Sequence, residues 1–402
     1  MNNIVNNLLV PEYSIIWMLI SLCLSAFISY KSYPIIIKVS KLKGLMQEPG
    51  IRSSHSTETP NLGGIGIFLG VISTLTFVGS IMSYNNLLCL IGASVLLLFT
   101  GLKDDLVEIT PLNKLIGQLI ASLCVIIISD IRIHSFFGVF GLEVLPYFVS
   151  VVFTLFVFVL LINAFNLIDG VDGLAGSIGI TTSVLFGLFF YYNGNNSMLF
   201  VSLSLIGALS TFLIFNFSKT KKVFMGDTGS MIVGFLLAYQ GVSFLRMNHN
   251  VELFSAISNP PALVIAIFSF PLMDTLRVFV IRLIKGRSPF SADKNHIHHN
   301  LLDLGLKHWE ISIVSSVFVF FMAVITYDIS DLGLHLSLSL LIISSGIFSV
   351  TPYLVLRINQ LYKEELNIFY KKSNHILKPK KTKPKYVFAL QKIYTSILNI
   401  FI

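Results

Sequence analysis

The chain has 402 residues, 54% of them hydrophobic and 12% charged, with a mean hydropathy of +0.81. That leaves too little polar surface to coat a water-soluble globule, so the composition excludes a soluble domain and implies a polytopic membrane protein in contact with the lipid bilayer. The net charge of +8 lies in loops between apolar runs and in the C-terminal tail, where it suits an anionic membrane face, and no nucleic-acid partner is expected.

A helix needs about 20 mostly apolar residues to cross the bilayer core. Eleven such stretches follow one another, at 13–33, 62–83, 86–102, 111–130, 146–166, 174–193, 197–216, 229–246, 260–284, 311–328 and 335–356. No Lys or Arg precedes the first stretch and no small-residue cleavage site follows it, so it reads as an anchor, not a removable leader. Its basic flank, Lys31 to Lys43, lies after it, which puts the N-terminus outside. Eleven crossings then leave the C-terminus inside. With that orientation every Lys and Arg except Arg132, Arg246 and Arg277 falls in an inner loop or in the tail.

The predicted fold is therefore all-α: a bundle of about 11 transmembrane helices in one multi-span domain, residues 1–357, with its site on the cytoplasmic face. No internal repeat of the kind found in many transporters is visible. Residues 358–402 form a basic cytoplasmic tail, in which the Pro-broken "KPKKTKPK" precedes an apolar segment, 386–402, that contains Lys392 and reads as an interfacial amphipathic helix. Cys23, Cys89 and Cys124 lie inside apolar stretches without CxxC spacing, which predicts three buried packing thiols.

Nearly every unusual polar cluster falls in an inner loop, so the clusters are expected to share one site. Asp104 and Asp105 end the third stretch; adjacent carboxylates repel unless a cation or proton intervenes. "NAFNLIDGVDGLAG" (163–176) ends the fifth, and its Asp169 and Asp172 would share a helix face if the turn is helical. One Asp there is explained by helix capping; two Asn and two Asp together are not. "FMGDTGS" (224–230) sets Asp227 between glycines at the start of a helix, an arrangement that suits Mg²⁺ with places left for phosphate oxygens, though an N-cap would use the same residues. His296, His298 and His299 form an H-x-H-H cluster that fits phosphate binding or proton handling better than any zinc pattern. Asp274 and Arg277, three apart in the ninth stretch, read as a structural pair.

Carboxylates for a divalent ion, basic groups for phosphate oxygens and glycines for close approach are the parts of a phosphoryl-transfer site. An ion-coupled lipid or sugar carrier, the alternative, would instead carry its acids near the membrane midplane.

The motifs "RSSHSTETPNLGG", "GLKDDLVEITPLNKLIGQ", "NAFNLIDGVDGLAG", "VFMGDTGS" and "PLMDTLRVFVIRLIKGRSPFSADKNHIHH", in this order over residues 40–310, resemble the polyprenyl-phosphate N-acetylhexosamine-1-phosphate transferases of glycosyltransferase family 4. The resemblance implies a bacterial inner-membrane enzyme that passes the sugar 1-phosphate of a UDP-N-acetylhexosamine to undecaprenyl phosphate, releasing UMP, with Mg²⁺ or alternatively Mn²⁺. The H-I-H-H form and "PLMDTLRV" are similar to the branch that uses UDP-GlcNAc for surface polysaccharides or teichoic acids. The UDP-MurNAc-pentapeptide branch reads H-H-H. Other UDP-HexNAc donors remain alternatives, and a homodimer is compatible with this family.

Carried over residue by residue, the resemblance makes Asp104, Asp105 and Asp169 catalytic, with Asp104 acting on the lipid phosphate. It makes Asp227, with Asp169, the metal ligand. It places Asn166 at the phosphate, Gly170, Asp172, Asn216 and the Phe224 ring at the uridine, and Lys114, His298 and His299 at diphosphate charge, with His296 also among the substrate-binding residues. Arg287 would recognise sugar or diphosphate. His55 belongs to the first loop motif, where Gln47 and Ser53 depart from the usual pattern.

Overall fold

The computed structural model describes residues 14–47, 58–84, 86–249, 256–286 and 296–373. His55, Arg287 and the expected interfacial helix at 386–402 lie outside these residues. The architecture is all-α and multi-pass: the described residues form thirteen helices, ten of them long and apolar enough to cross a membrane singly, together with one bent pair of helices that has the combined length and apolarity of a span.

The helices are α1 (Ser14–Lys43), α2 (Gly63–Met82), α3 (Asn86–Val107), α4 (Pro111–Ile128), α5 (Tyr147–Ile168), α6 (Leu174–Tyr192), α7 (Asn196–Asn216), α8 (Gly226–Asn248), α9 (Pro260–Ile267), α10 (Ser269–Ile284), α11 (Ile297–Asp303), α12 (His308–Asp328) and α13 (Leu334–Ser373). In lipid each backbone polar group needs a partner inside its own segment, which is why the apolar runs become helices. α1 and α13 both run well past the apolar stretches that predicted them. Turn chemistry marks several helix starts: Thr110 caps α4 through Asn113 N–H ahead of Pro111, and Asn195 accepts from Met198 N–H at the start of α7.

α8 is the central mast. It is apolar or small all round and its hydrophobic window is wholly buried, as expected of a helix without a polar face. α2, α3, α5 and α6 pack around it, with α7 and α9 more lightly engaged. Serines replace bulk where α1 meets its neighbours: Ser25 Oγ donates to Ser204 C=O (2.6 Å) and Ser29 Oγ to Gly66 C=O (2.8 Å).

Three expectations need correction here. The ninth stretch is not one helix but α9 and α10, bent by 75° at Phe268. Pro271 supplies the reason, since its ring clashes with the carbonyl four residues back, at Ile267, and it has no N–H to donate there. Cys23 is exposed on α1 and not a buried thiol, whereas Cys89 and Cys124 are half-buried, Cys89 Sγ lying 3.3 Å from Cys124 C=O. Asp169 and Asp172 do not share a helix face, because residues 169–173 form a turn between α5 and α6.

A two-residue antiparallel ladder, β1 (Met46–Gln47) with β2 (Thr59–Pro60), closes the first loop. The strand position continues into the segment before α8: Phe224 N–H donates to Pro60 C=O (2.9 Å), and Gly63 and Gly64 N–H donate to Phe224 and Met225 C=O (2.9 and 2.8 Å). The N-terminus of α2 and the turn entering α8 are thereby sewn together at one end of the bundle.

Candidate active site

The turn at Gly226–Asp227 is built on Asp105. Asp105 Oδ1 accepts Asp227 N–H (2.8 Å) and Asn61 Nδ2 (3.1 Å), and Oδ2 accepts Thr228 N–H (3.0 Å) and Thr228 Oγ1 (2.6 Å). One carboxylate so satisfies amides that the first turn of α8 would otherwise leave unpaired. Gly226 stands at φ +71°, where a Cβ would collide with the Asn61 carbonyl and the Asp105 carboxylate, so the turn requires glycine. Asp227 sits at the second helical position, beside the positive end of the helix dipole, and is not the N-cap.

Beside it stands Asp104, one residue back and turned about 100° round α3. Its Oδ1 accepts Ile109 N–H (2.9 Å), which closes the end of α3, and its Oδ2 faces Lys114 Nζ (3.0 Å). The same ammonium lies 2.6 Å from Asp227 Oδ1. Asn166 Nδ2 also donates to Asp227 Oδ1, and to Ser230 Oγ at 2.8 Å. A single cation thus bridges carboxylates from α3 and α8. Asn163 points elsewhere: it is tied to Gln118 Oε1 (2.8 Å) and Val159 C=O (2.8 Å) and locks α4 to α5.

Asp169 caps α5 and its side chain makes no ion pair or hydrogen bond among the described residues. Burial holds its carboxyl well above the usual carboxylate range, and the charges of Asp227, Asp105 and Asp172 push it further the same way.

On the far side of the turn, Gly173 has φ +80° and gives its N–H to Asn216 Oδ1 (2.6 Å), while Asn216 Nδ2 donates to Val223 C=O (2.8 Å). Asn216, the last residue of α7, therefore ties the start of α6 to the loop before α8. Asp172 Oδ2 receives Lys222 Nζ (2.7 Å) and His308 Nδ1 (2.8 Å). Lys222 also lies 5.3 Å over the Phe224 ring.

The histidines arrive on α11. Asp274, fully buried on α10, accepts Ile297 N–H (2.6 Å) and faces His296 Nδ1 (2.7 Å). The expected Asp274–Arg277 pair is therefore replaced by an Asp274–His296 pair; Arg277 instead lies 5.8 Å over the Tyr353 ring. His296 stacks on His298 (5.2 Å between centroids) and His298 leans on His299 (4.5 Å). His298 stands over Gly170, where a Cβ would come 2.7 Å from Nε2. Burial pushes the His298 imidazole down to about 3. Among the described residues, Asp274, His296 and His298 are the one set of three whose ligand atoms lie within 4.8 Å of one another. Its nitrogen-rich donors would suit a zinc-like ion; the oxygen atoms of Asp104, Asp169 and Asp227 would suit a hard ion such as Mg²⁺.

Asp104, Asp105, Lys114, Asn166, Asp169, Gly170, Asp172, Asn216, Phe224, Asp227, His296, His298 and His299 thus lie on helix ends and turns at one end of the bundle. Asp105, expected beside Asp104 at the reacting groups, has both oxygens engaged by the α8 turn. His308 and Asn61 were not singled out in the sequence, although the polar "KHWE" opening the tenth apolar run is a legible signal for His308.

A family model described as glycosyl transferase family 4 matches residues 87–245. The chain is similar to the undecaprenyl-phosphate alpha-N-acetylglucosaminyl 1-phosphate transferase of Salmonella typhi, 32% identical over 280 residues, 67% of this chain and 72% of that protein. It is similar to the decaprenyl-phosphate N-acetylglucosaminephosphotransferase of Mycobacterium tuberculosis (strain ATCC 25618 / H37Rv), 28% identical over 318 residues, 73% of this chain and 78% of that protein. It is likewise similar to the undecaprenyl-phosphate alpha-N-acetylglucosaminyl 1-phosphate transferase of Escherichia coli (strain K12), 28% identical over 277 residues, 67% of this chain and 72% of that protein.

Proposed function

Because the chain belongs to glycosyl transferase family 4, with the convergence just described at one end of its bundle, we propose that it transfers GlcNAc 1-phosphate from UDP-GlcNAc to undecaprenyl phosphate. A phosphate oxygen of the lipid attacks the sugar-bearing phosphorus of the nucleotide, the bond to the bridging oxygen breaks, and UMP leaves with that oxygen. The products are the lipid diphosphate sugar and UMP. The positive-inside distribution of Lys and Arg supports a site on the cytoplasmic face of a bacterial inner membrane, with the N-terminus outside.

The observation that carries the reading is the cluster of Asp104, Lys114, Asn166 and Asp227 at the mouth of the bundle. The residues also fit a divalent cation, because Asp169 has three carboxylates around it and no counter-charge among the described residues. Asp227 and Asp169 would hold it, and Mg²⁺ would supply Lewis-acid neutralisation of the diphosphate. Asp104 then positions the lipid phosphate more than it deprotonates it, since a phosphate monoester with a second pKa near 6 is already largely dianionic at pH 7. Lys114 places positive charge where the transferring group gains negative charge. Neutral His298, over Gly170, offers a hydrogen bond. Asp172, Asn216 and Phe224 form the nucleoside end, with an acceptor, an amide and a ring face.

A carrier working by alternating access would place these acids near the midplane. Here they stand at helix ends on one side of the bundle. The test is UMP release by the purified chain in detergent with Mg²⁺, UDP-GlcNAc and undecaprenyl phosphate. Loss of release in Asp227→Ala is expected; transport of substrate without UMP would overturn the reading.

A further inference from the structure

Asp172 is held from three directions by groups distant in sequence. Its carbonyl accepts Ser312 Oγ (3.0 Å), its Oδ2 receives Lys222 Nζ (2.7 Å) from the loop before α8, and the same oxygen lies 2.8 Å from His308 Nδ1 at the first residue of α12. His308 Nδ1 also lies 3.2 Å from Asp172 N–H. One ring nitrogen cannot donate and accept at once. The shorter contact, to a charged oxygen, is the stronger one, so Nδ1 carries the proton and donates to the carboxylate. α12 thus grips both the main chain and the side chain of Asp172, although it lies more than a hundred residues further along the chain.

We propose that His308 is a positioning residue for nucleotide recognition: with Lys222 it aims the Asp172 carboxylate, as an acceptor, at an N–H of a pyrimidine imide such as uracil. This rests on the proposed use of a UDP-sugar and deepens it. A base with an imide N–H needs an acceptor that is held still. Two donors on Oδ2 hold it, and the Phe224 ring beneath Lys222 offers the stacking face. Cytosine has an acceptor at the corresponding ring nitrogen, so a carboxylate aimed there also discriminates against CDP-sugars.

The test uses the full chain in detergent and the UMP-release assay. His308→Ala removes one charge-assisted hydrogen bond and is expected to raise KM for UDP-GlcNAc about tenfold, with kcat and the KM for undecaprenyl phosphate within twofold of wild type. His308→Asn, whose amide nitrogen can occupy the place of Nδ1, is expected to recover KM to within threefold. Ser312→Ala, which loses only the carbonyl contact, serves as the structural control and should leave KM unchanged. An unchanged KM in His308→Ala, a fall in kcat alone, or a His308→Asn variant as impaired as His308→Ala with a wild-type melting temperature would each overturn the proposal. Should the wild type release no UMP, the functional reading fails while binding of UMP by calorimetry still decides the point: about tenfold weaker binding in His308→Ala supports it, and equal binding overturns it.

Discussion

Asp105→Asn separates positioning from chemistry at this site. The carboxylate takes four donors, two on each oxygen, and the Asn amide can reproduce only one oxygen. Its NH₂ must then face either Asp227 N–H or Thr228 N–H, neither of which can rotate away, whereas the Thr228 hydroxyl can turn to accept. Hydrogen bonds to a charged group contribute roughly 1.5–3 kcal/mol each, and an orphaned buried amide costs about 1–3 kcal/mol more. With partial relaxation, a loss of about 2–4 kcal/mol is expected in the placement of Asp227. At about 1.4 kcal/mol per factor of ten, that is roughly a 30- to 1,000-fold fall in kcat/KM for UMP release. Thr228→Val removes only the 2.6 Å hydroxyl contact and should cost about tenfold. Because both act through one turn, the double variant should lose little beyond Asp105→Asn alone. Activity of Asp105→Asn within threefold of wild type, or losses that multiply in the double variant, would refute the reasoning.

Three further outcomes follow from the geometry. Asp274→Ala strips the buried partner from His296 and Ile297 N–H and should destabilise the protein by about 3–5 kcal/mol, read as a fall of several degrees in melting temperature in detergent; Arg277→Ala, which loses contact with the Tyr353 ring, should cost about 1 kcal/mol or less. His298 titrates near 3 in the fold and at about 6.5 when unfolded, so below about 6.5 the unfolded chain takes up a proton that the native chain refuses. Its contribution is fully present above that value and is lost as pH falls towards 3, at up to about 1.4 kcal/mol per pH unit; pH-dependent melting of His298→Gln should be flatter over this window, and an identical slope would exclude the effect. Lys114→Met leaves the Asp104 and Asp227 carboxylates facing each other without the ammonium, and UMP release should drop by at least about 100-fold while the Mg²⁺-induced rise in melting temperature persists or grows; loss of that rise together with activity would place Lys114 in support of the metal instead.

The crossings were legible because a bilayer leaves little freedom: about twenty apolar residues form a helix or do not cross. Hydropathy reports composition along a line, however, and not the direction of that line. The 75° break at Phe268 hence passed unseen as a single stretch, although Pro271 lay within it. The convergence of the polar loops was legible for a related reason. Polar groups that cannot enter lipid collect where apolar runs end, and alternate ends lie on the same side.

Partners were far less legible than places. Asp104 and Asp105 are identical as letters, yet one step along α3 sends the first towards Lys114 and the second into the α8 turn. Asp274 had a basic residue three positions away, the spacing of a helical ion pair, but its partner is 22 positions away, because its side chain points into the protein, where His296 and Ile297 N–H meet it, while Arg277 turns to the Tyr353 ring. His308 drew no attention for the same reason: its value lies in Asp172, 136 positions back.

Counting charge, rather than residues, shows what the fold itself leaves undone. Lys114 answers Asp104 and Asp227; Lys222 and His308 answer Asp172; Asp105 is satisfied by four neutral donors. Burial and the Asp227 charge raise the proton affinity of both Asp105 and Asp169, but Asp169 alone of the five has no donor among the described residues to oppose them. A protein under selection for stability only would place an amide or an apolar residue there, because a half-buried carboxyl among like charges with no donor costs stability. The cost is tolerable if the ligand state supplies the missing positive charge. Asp169→Asn should therefore raise the melting temperature without Mg²⁺, reduce its rise on adding Mg²⁺, and abolish UMP release. A variant that melts lower than wild type without metal would mean that Asp169 is already stabilised by the fold, and the charge argument would fail.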